Sequence, residues 1–317
     1  MKGRVLALTE ARSRPAPAAG PPVRRRRRRA KTPYLLIAPT VLLLGGLLAY
    51  PMVSVGYYAL RHYNVTQPWN NGFAGLDNFR TMLFHDPVFW QSLRFSLSWV
   101  LAQVGLQLLL GLGLALIVNE TFLGRSLARS LVFSPWAVSG VLTTGIWILI
   151  YNPATGVFRA LSAVGIGDGG TSVLGDPKTV FPGVVVAELW RGVPFFAILL
   201  LAGLQTIPGD LYEAAHTDGA GRWRRFVHVT LPHLRDAIVL ATLLRAVWEF
   251  NNVDLIYTLT GGGPAHQTTT LPVYIARTAV DSHDFGYGSA LTTAGFAVLL
   301  FFSIVYLRLS KFGSERA

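Results

Sequence analysis

Glu213-Ala214-Ala215-His216-Thr217-Asp218-Gly219, then nine residues, then Val229-Thr230-Leu231-Pro232, is the stretch from which the rest of the chain is read. It joins two apolar runs, over about 180–206 and 231–257, each of the length a bilayer requires, about twenty residues. Asp210 is placed to cap a short helix beginning near Leu211, and Ala214 and Ala215 keep one face small enough for another surface to approach closely. Gly219, with Gly221, allows the left-handed turn that ends such a helix. The expectation is a short helix lying across one membrane face between two late spans.

Outward from this loop, further apolar stretches run over about 34–60, 92–118, 127–151 and 288–309, making six spans in all. The chain has 317 residues, of which 51% are hydrophobic and 14% charged, with a mean hydropathy of +0.43. An average soluble protein carries about a quarter charged residues, so this chain needs lipid as well as a core. The expected fold class is an all-α integral membrane protein with about six transmembrane helices. Prolines within spans, at Pro39, Pro51, Pro135 and Pro194, free backbone carbonyls that a cavity or a neighbouring helix must satisfy. That pattern suits a transport pathway better than a passive anchor. The connections opposite the quoted loop are rich in Trp, Asn, Gly and Pro, as in Gln67-Pro68-Trp69-Asn70-Asn71-Gly72, and read as ordered caps.

The formal net charge is +12, and its distribution matters more than its size. Eleven basic residues lie between Lys2 and Lys31, including the run Arg24 to Arg29, in a segment without apolar period. Residues 1–31 are therefore expected to be a disordered tail beside lipid headgroups, with 32–317 as the transmembrane domain, and not an arm for nucleic acid. Twenty of the 28 basic residues fall on the side of that tail and of the 207–230 loop, and six in the opposite connections. The positive-inside rule then places both termini in the cytoplasm. The first apolar stretch is too long for a cleaved signal and reads as an anchor. No cysteine is present, which removes disulfide and thiolate chemistry. Lys178 follows Pro177 and not a glycine-rich loop, so the chain has no phosphate-binding signature and is expected to be no enzyme. The seven histidines show no metal-binding spacing, and neither a metal nor a cofactor is expected.

The quoted loop resembles the EAA loop of binding-protein-dependent ABC importer permeases: EAA, three residues, Gly, nine residues, Ile, one residue, Leu-Pro. One departure is Val229 in place of Ile, a loss of one methylene. Phe73-Ala74-Gly75-Leu76-Asp77-Asn78-Phe79, Pro135-Trp136-Ala137-Val138 and Leu259-Thr260-Gly261-Gly262-Gly263-Pro264 extend the likeness to carbohydrate permeases of the maltose and glycerol-phosphate type. The resemblance implies the maltose-permease-like type I importer fold in a bacterial cell membrane. It also implies a second homologous permease subunit, two ATPase subunits that bind ATP and Mg, and an extracytoplasmic solute-binding protein delivering a sugar. It assigns ATPase coupling to Glu213, Ala214, Ala215, Gly219, Leu231 and Pro232.

Polar groups within spans are costly and mark a pathway or an internal pair. Arg245, Glu249 and Asn252 recur at helical spacing, with Trp248 near the same face. A carboxylate, an amide and an indole on one stripe suit sugar hydroxyls and the apolar face of a pyranose. Alternatively, Arg245 and Glu249 only neutralise each other, and Glu188 and Arg191, three apart, only form a pair. The resemblance favours solute contacts for Glu249 and Asn252. It also places Gly192 and Phe195, within Trp190-Arg191-Gly192-Val193-Pro194-Phe195, at the cavity, with Thr143 a further candidate in the third span. A rival class is an ion-coupled secondary transporter using Glu249 and Arg245, which inverted repeats would favour; the sequence has none that we detect.

Overall fold

The computed structural model describes residues 32–163 and 172–310; the expected disordered tail, 164–171 and 311–317 lie outside the described residues. The chain divides into two compact units, Met1–Tyr50 and Pro51–Ala317. In the first, α1 (Thr32–Leu44) runs into a π-helical turn, Gly45–Ala49, with Leu35, Leu36, Leu42 and Leu47 exposed. Such a surface belongs in hydrocarbon. The helix goes on through α2 (Tyr50–Ala59), so that Tyr34–Ala59 has the length and hydropathy of a span.

Beyond α2 a short antiparallel hairpin, β1 (Arg61–His62) with β2 (Gly72–Phe73), leads to α3 (Asp77–Phe84) and to the long α4 (Pro87–Asn119). Asp86 starts α4: its Oδ1 accepts the backbone N–H of Val88 at 2.9 Å and of Phe89 at 3.2 Å, and Pro87 occupies the first turn, where its missing N–H costs nothing. Asp86 Oδ2 accepts the hydroxyls of Tyr274 and Tyr287, both at 2.6 Å. One carboxylate thus caps α4 and ties it to two later elements. Burial, and then the Asp86 carboxylate, push the Tyr274 hydroxyl well above its ordinary pKa, which keeps it a donor.

The expected third span, over about 127–151, is not one straight helix. Helices α5 (Arg125–Ala137) and α6 (Gly140–Ile150) meet at a bend of 97°. Pro135 has no N–H for the carbonyl of Leu131, and the Ser134 hydroxyl takes that carbonyl instead at 2.9 Å. Val138 is then extended, and Ser139 caps α6 by accepting the N–H of Leu142 at 3.3 Å. The two halves make one broken span or a re-entrant segment.

After α7 (Val157–Ala163) comes α8 (Val180–Gln205), the most buried of the spanning helices. It packs along α4, where Gly111 is a point of close approach: a Cβ there would lie 2.5 Å from Phe196 Cβ and 3.1 Å from the Val193 carbonyl. Gly111→Leu is expected to force the helices apart and to cost about 1–3 kcal/mol or more, read as a lower unfolding temperature of the detergent-solubilised protein. An unchanged transition would show that the two helices do not pack this tightly.

The loop helix is α9 (Gly209–Thr217), followed by α10 (Arg222–Arg225). A π-helical turn, Phe226–Thr230, then feeds α11 (Leu231–Phe250), the whole forming a 29-residue span, Arg222–Phe250. Pro232 in the first turn of α11 cannot donate to the carbonyl of His228, and the widened turn before it accommodates the ring. The expected fifth span, to residue 257, is also corrected: α11 stops at Phe250, and α12 (Asp254–Thr260) is a separate helix. Two further helices, α13 (Leu271–Ala276) and α14 (Phe285–Ser310), complete the described chain. Ala115, Phe196, Leu200, Leu234 and Ala241 form the core where α4, α8 and α11 meet. Among the described residues there are five helices fit to cross a membrane, six if the bent pair is one span.

Candidate functional site

Inside this apolar core, α4, α8 and α11 bring together six polar side chains. Arg245 of α11 is the hub. Its Nε donates to Gln107 Oε1 at 2.7 Å, and its terminal nitrogen reaches Glu188 Oε1 at 2.8 Å and Glu249 Oε1 at 2.6 Å. Gln107 Nε2 donates in turn to Glu249 Oε1 and to Gln103 Oε1, both at 2.9 Å, and Arg191 donates to Glu188 Oε1 at 3.1 Å. Gln103, Gln107 and Glu188 are fully buried, Glu249 is 1% exposed and Arg245 5%. Two carboxylates and two guanidiniums balance, as buried charges must. Yet Glu188 Oε2 and Glu249 Oε2 have no hydrogen-bond partner.

Gly192 is what lets the network close against α8. A Cβ at that position would sit 2.3 Å from Gln107 Nε2 and 2.4 Å from an Arg245 terminal nitrogen, so no other residue fits without displacing both. Phe195, one turn on, lies with its ring centroid 5.9 Å from the Arg245 guanidinium carbon and 5.2 Å from the Trp248 ring. Trp248 is 49% exposed and Phe195 buried, so the indole is the outward face of this aromatic pair, next to the ion network.

The structure gathers Arg245, Glu249, Trp248, Gly192 and Phe195, and leaves two sequence candidates apart. Asn252 lies beyond the end of α11, its N–H bonded to the Glu249 carbonyl at 3.3 Å, so it does not continue the stripe of Arg245 and Glu249. Thr143 of α6 is buried with an unpartnered hydroxyl and makes no hydrogen bond to the network. Glu249 is engaged by Arg245 and Gln107 and is not presented on an open face. Gln103 and Gln107 were missed; two amides four apart within the apolar 92–118 stretch were their signal.

The second site is the α9 loop. Glu213 and Ala214 are exposed, Ala215 half-buried. Gly219 has φ +74°, with Ala220 N–H bonded to the Ala215 carbonyl at 2.9 Å and Gly219 N–H to that of His216 at 3.0 Å, the paired bonds of a Schellman ending. Pro208, not Asp210, precedes the first helical residue, and no side chain caps that end, a correction to the expected start. Gly221 takes ordinary backbone angles and opens α10. Leu231 and Pro232 lie on the helix that follows. The Tyr212 hydroxyl meets Thr230 Oγ1 at 3.0 Å, binding α9 to that same helix. Beside α9 a cleft of about 960 Å³ is lined by Asn119, Glu120, Tyr212, Arg222, Trp223 and Arg225.

Residues 94–312 match the family described as binding-protein-dependent transport system inner membrane component. The chain belongs to this family. Within it, the chain is 38% identical over 283 residues to the trehalose/maltose transport system permease protein MalF of Thermococcus litoralis, covering 89% of this chain and 95% of that one. It is 36% identical over 281 residues to the sulfoquinovosyl glycerol transport system permease protein SmoG of Agrobacterium fabrum, covering 87% and 89%. A chain of the bacterial alginate ABC transporter crystallised with its alginate pentasaccharide-bound periplasmic protein has the same fold, with a TM-score of 0.74 at 23% identity over 89% of this chain and 94% of that one. The family match runs from within α4 through α14 and so contains all six residues of the ion network and the α9 loop. It is a multi-pass ABC-importer permease of the type I fold.

Proposed function

We propose that this chain is one of two permease subunits of an ATP-driven importer for a sugar or related glycoside, with both termini in the cytoplasm. The named cargo of its relatives, trehalose/maltose and sulfoquinovosyl glycerol, supports the solute class. Two partner ATPase subunits bind ATP and Mg and dock on α9, and an extracytoplasmic protein delivers the solute. The observation that carries this reading is the exposed α9, ended at Gly219 and tied by Tyr212 to the helix that holds Arg245 and Glu249. A displacement of α9 by an ATPase is passed to α11 through that contact and the continuous helix, and reaches the ion network without crossing a flexible link. The platform of Trp248 and Phe195 offers apolar contact to a pyranose ring.

The test is uptake by the complete complex in vesicles, supplied with binding protein and a labelled disaccharide such as trehalose. Uptake is expected to require internal ATP and to ignore ionophores. Uptake by this chain alone, driven by a proton or sodium gradient, would establish the ion-coupled transporter instead.

A further inference from the structure

The ion network bears on which sugars can pass, and the inference here rests on the importer reading. Relatives of this chain are named for neutral cargo and for cargo that carries a sulfonate, so membership of the family does not decide the charge of the solute. The network sits near the middle of the 33-residue α4, through Gln103 and Gln107, and therefore deep in the bilayer. An anion taken to that depth loses its water and needs a cation to replace it. Both guanidiniums there are already committed: Arg245 to Glu188 and Glu249, and Arg191 to Glu188. Turning either toward an anionic solute would strand a buried carboxylate.

The buried atoms of the network that lack a partner are both acceptors. They are Glu188 Oε2 and Glu249 Oε2, whereas Arg245 Nε and one of its terminal nitrogens are engaged. A buried acceptor of this kind is completed by an O–H and is repelled by another negative charge. Glu249 lies one residue from Trp248, and its partner Arg245 contacts the Phe195 ring, so the network adjoins the aromatic pair.

We propose that the charge-balanced network makes this permease selective for uncharged polyhydroxylated solutes over anionic ones, with Glu188 and Glu249 as the acceptors that receive solute hydroxyls. Glu188 then acts on the solute and is not merely the partner of Arg191.

The measurement must bypass the binding protein, which imposes a selectivity of its own. Equilibrium dialysis is run with the detergent-solubilised complex of both permeases and both ATPases, using labelled trehalose and its analogue oxidised to a carboxylate at C6. Wild type is expected to hold trehalose about tenfold or more tightly than the carboxylate analogue. In Glu188→Gln/Glu249→Gln, which keeps the shapes and removes two negative charges, the ratio is expected to fall and the analogue to gain. Equal binding of the two sugars by wild type, or tighter binding of the analogue, overturns the inference while leaving the importer reading in place. Absence of binding for both, with no ATP-dependent uptake of trehalose, removes that reading and the inference with it. If the double variant does not assemble, the wild-type ratio still decides.

Discussion

Gly219→Asp is expected to leave the chain inserted and folded while releasing the ATPase subunits, or uncoupling them from the solute. The local cost is modest. A non-glycine residue in the left-handed region loses about 1–2 kcal/mol, and aspartate tolerates that region better than most. Within the chain a Cβ at Gly219 meets nothing within 4 Å, so packing inside this subunit does not oppose the change. The effect falls on whatever surface approaches α9, where a new side chain and charge intrude on a close contact beside exposed Glu213 and Ala214. A loss of about 1.4 kcal/mol in that contact is tenfold in retention, and a desolvated charge costs more than that. ATPase co-purification and solute-stimulated hydrolysis in vesicles are the measurements. Gly219→Ala, which carries at least as much backbone strain without the charge, is expected to retain most of both. Wild-type retention and stimulation by Gly219→Asp would remove the main support for coupling through this loop.

Arg245→Met is expected to be the most destabilising single change in the spans. Arg245 holds Gln107, Glu188 and Glu249 together, and its loss leaves Glu249 with one amide and no cation. Removing one partner of a buried ion pair costs about 3–5 kcal/mol, more than the cavity left by the shortened side chain. Adding Glu249→Leu to that variant is expected to recover a large part of the loss, because the remaining pair, Arg191 with Glu188, is again balanced. Thermal unfolding of the purified complex, compared across both single variants and the double, gives the coupling. Strictly additive losses would mean that Arg245 and Glu249 do not act as a unit.

How much of this was legible in the sequence differs between the two sites for a physical reason. The α9 loop is a local structure: glycine at the turn, small residues on one face and the spacing to Leu231-Pro232 lie within about twenty consecutive residues, and hydrogen bonds between near neighbours realise them. Apolar length likewise predicts spans, because a bilayer tests each helix almost independently of the others. Hydropathy runs smoothly through positions where backbone chemistry breaks a helix: Pro135 marked a weak point in the third span, but apolar length gave neither the 97° bend at Val138-Ser139 nor the stop at Phe250. That stop is also what separates Asn252 from the stripe on which helical spacing had placed it.

By itself the sequence determined the membrane class, the approximate positions of the apolar helices, the short helix joining two late spans and the fact that charged residues within spans mark a pathway or an internal pair. Only the tertiary structure decided which groups meet. Gln107 and Glu249 are 142 residues apart in the chain and 2.9 Å apart in space, and no local period encodes that contact. It arises because Gly111 and Gly192 let α4, α8 and α11 approach closely enough for side chains from all three to share one desolvated volume. In that volume every donor must find an acceptor, so Arg245 and Glu249 became parts of a six-residue network where spacing alone had suggested a pair.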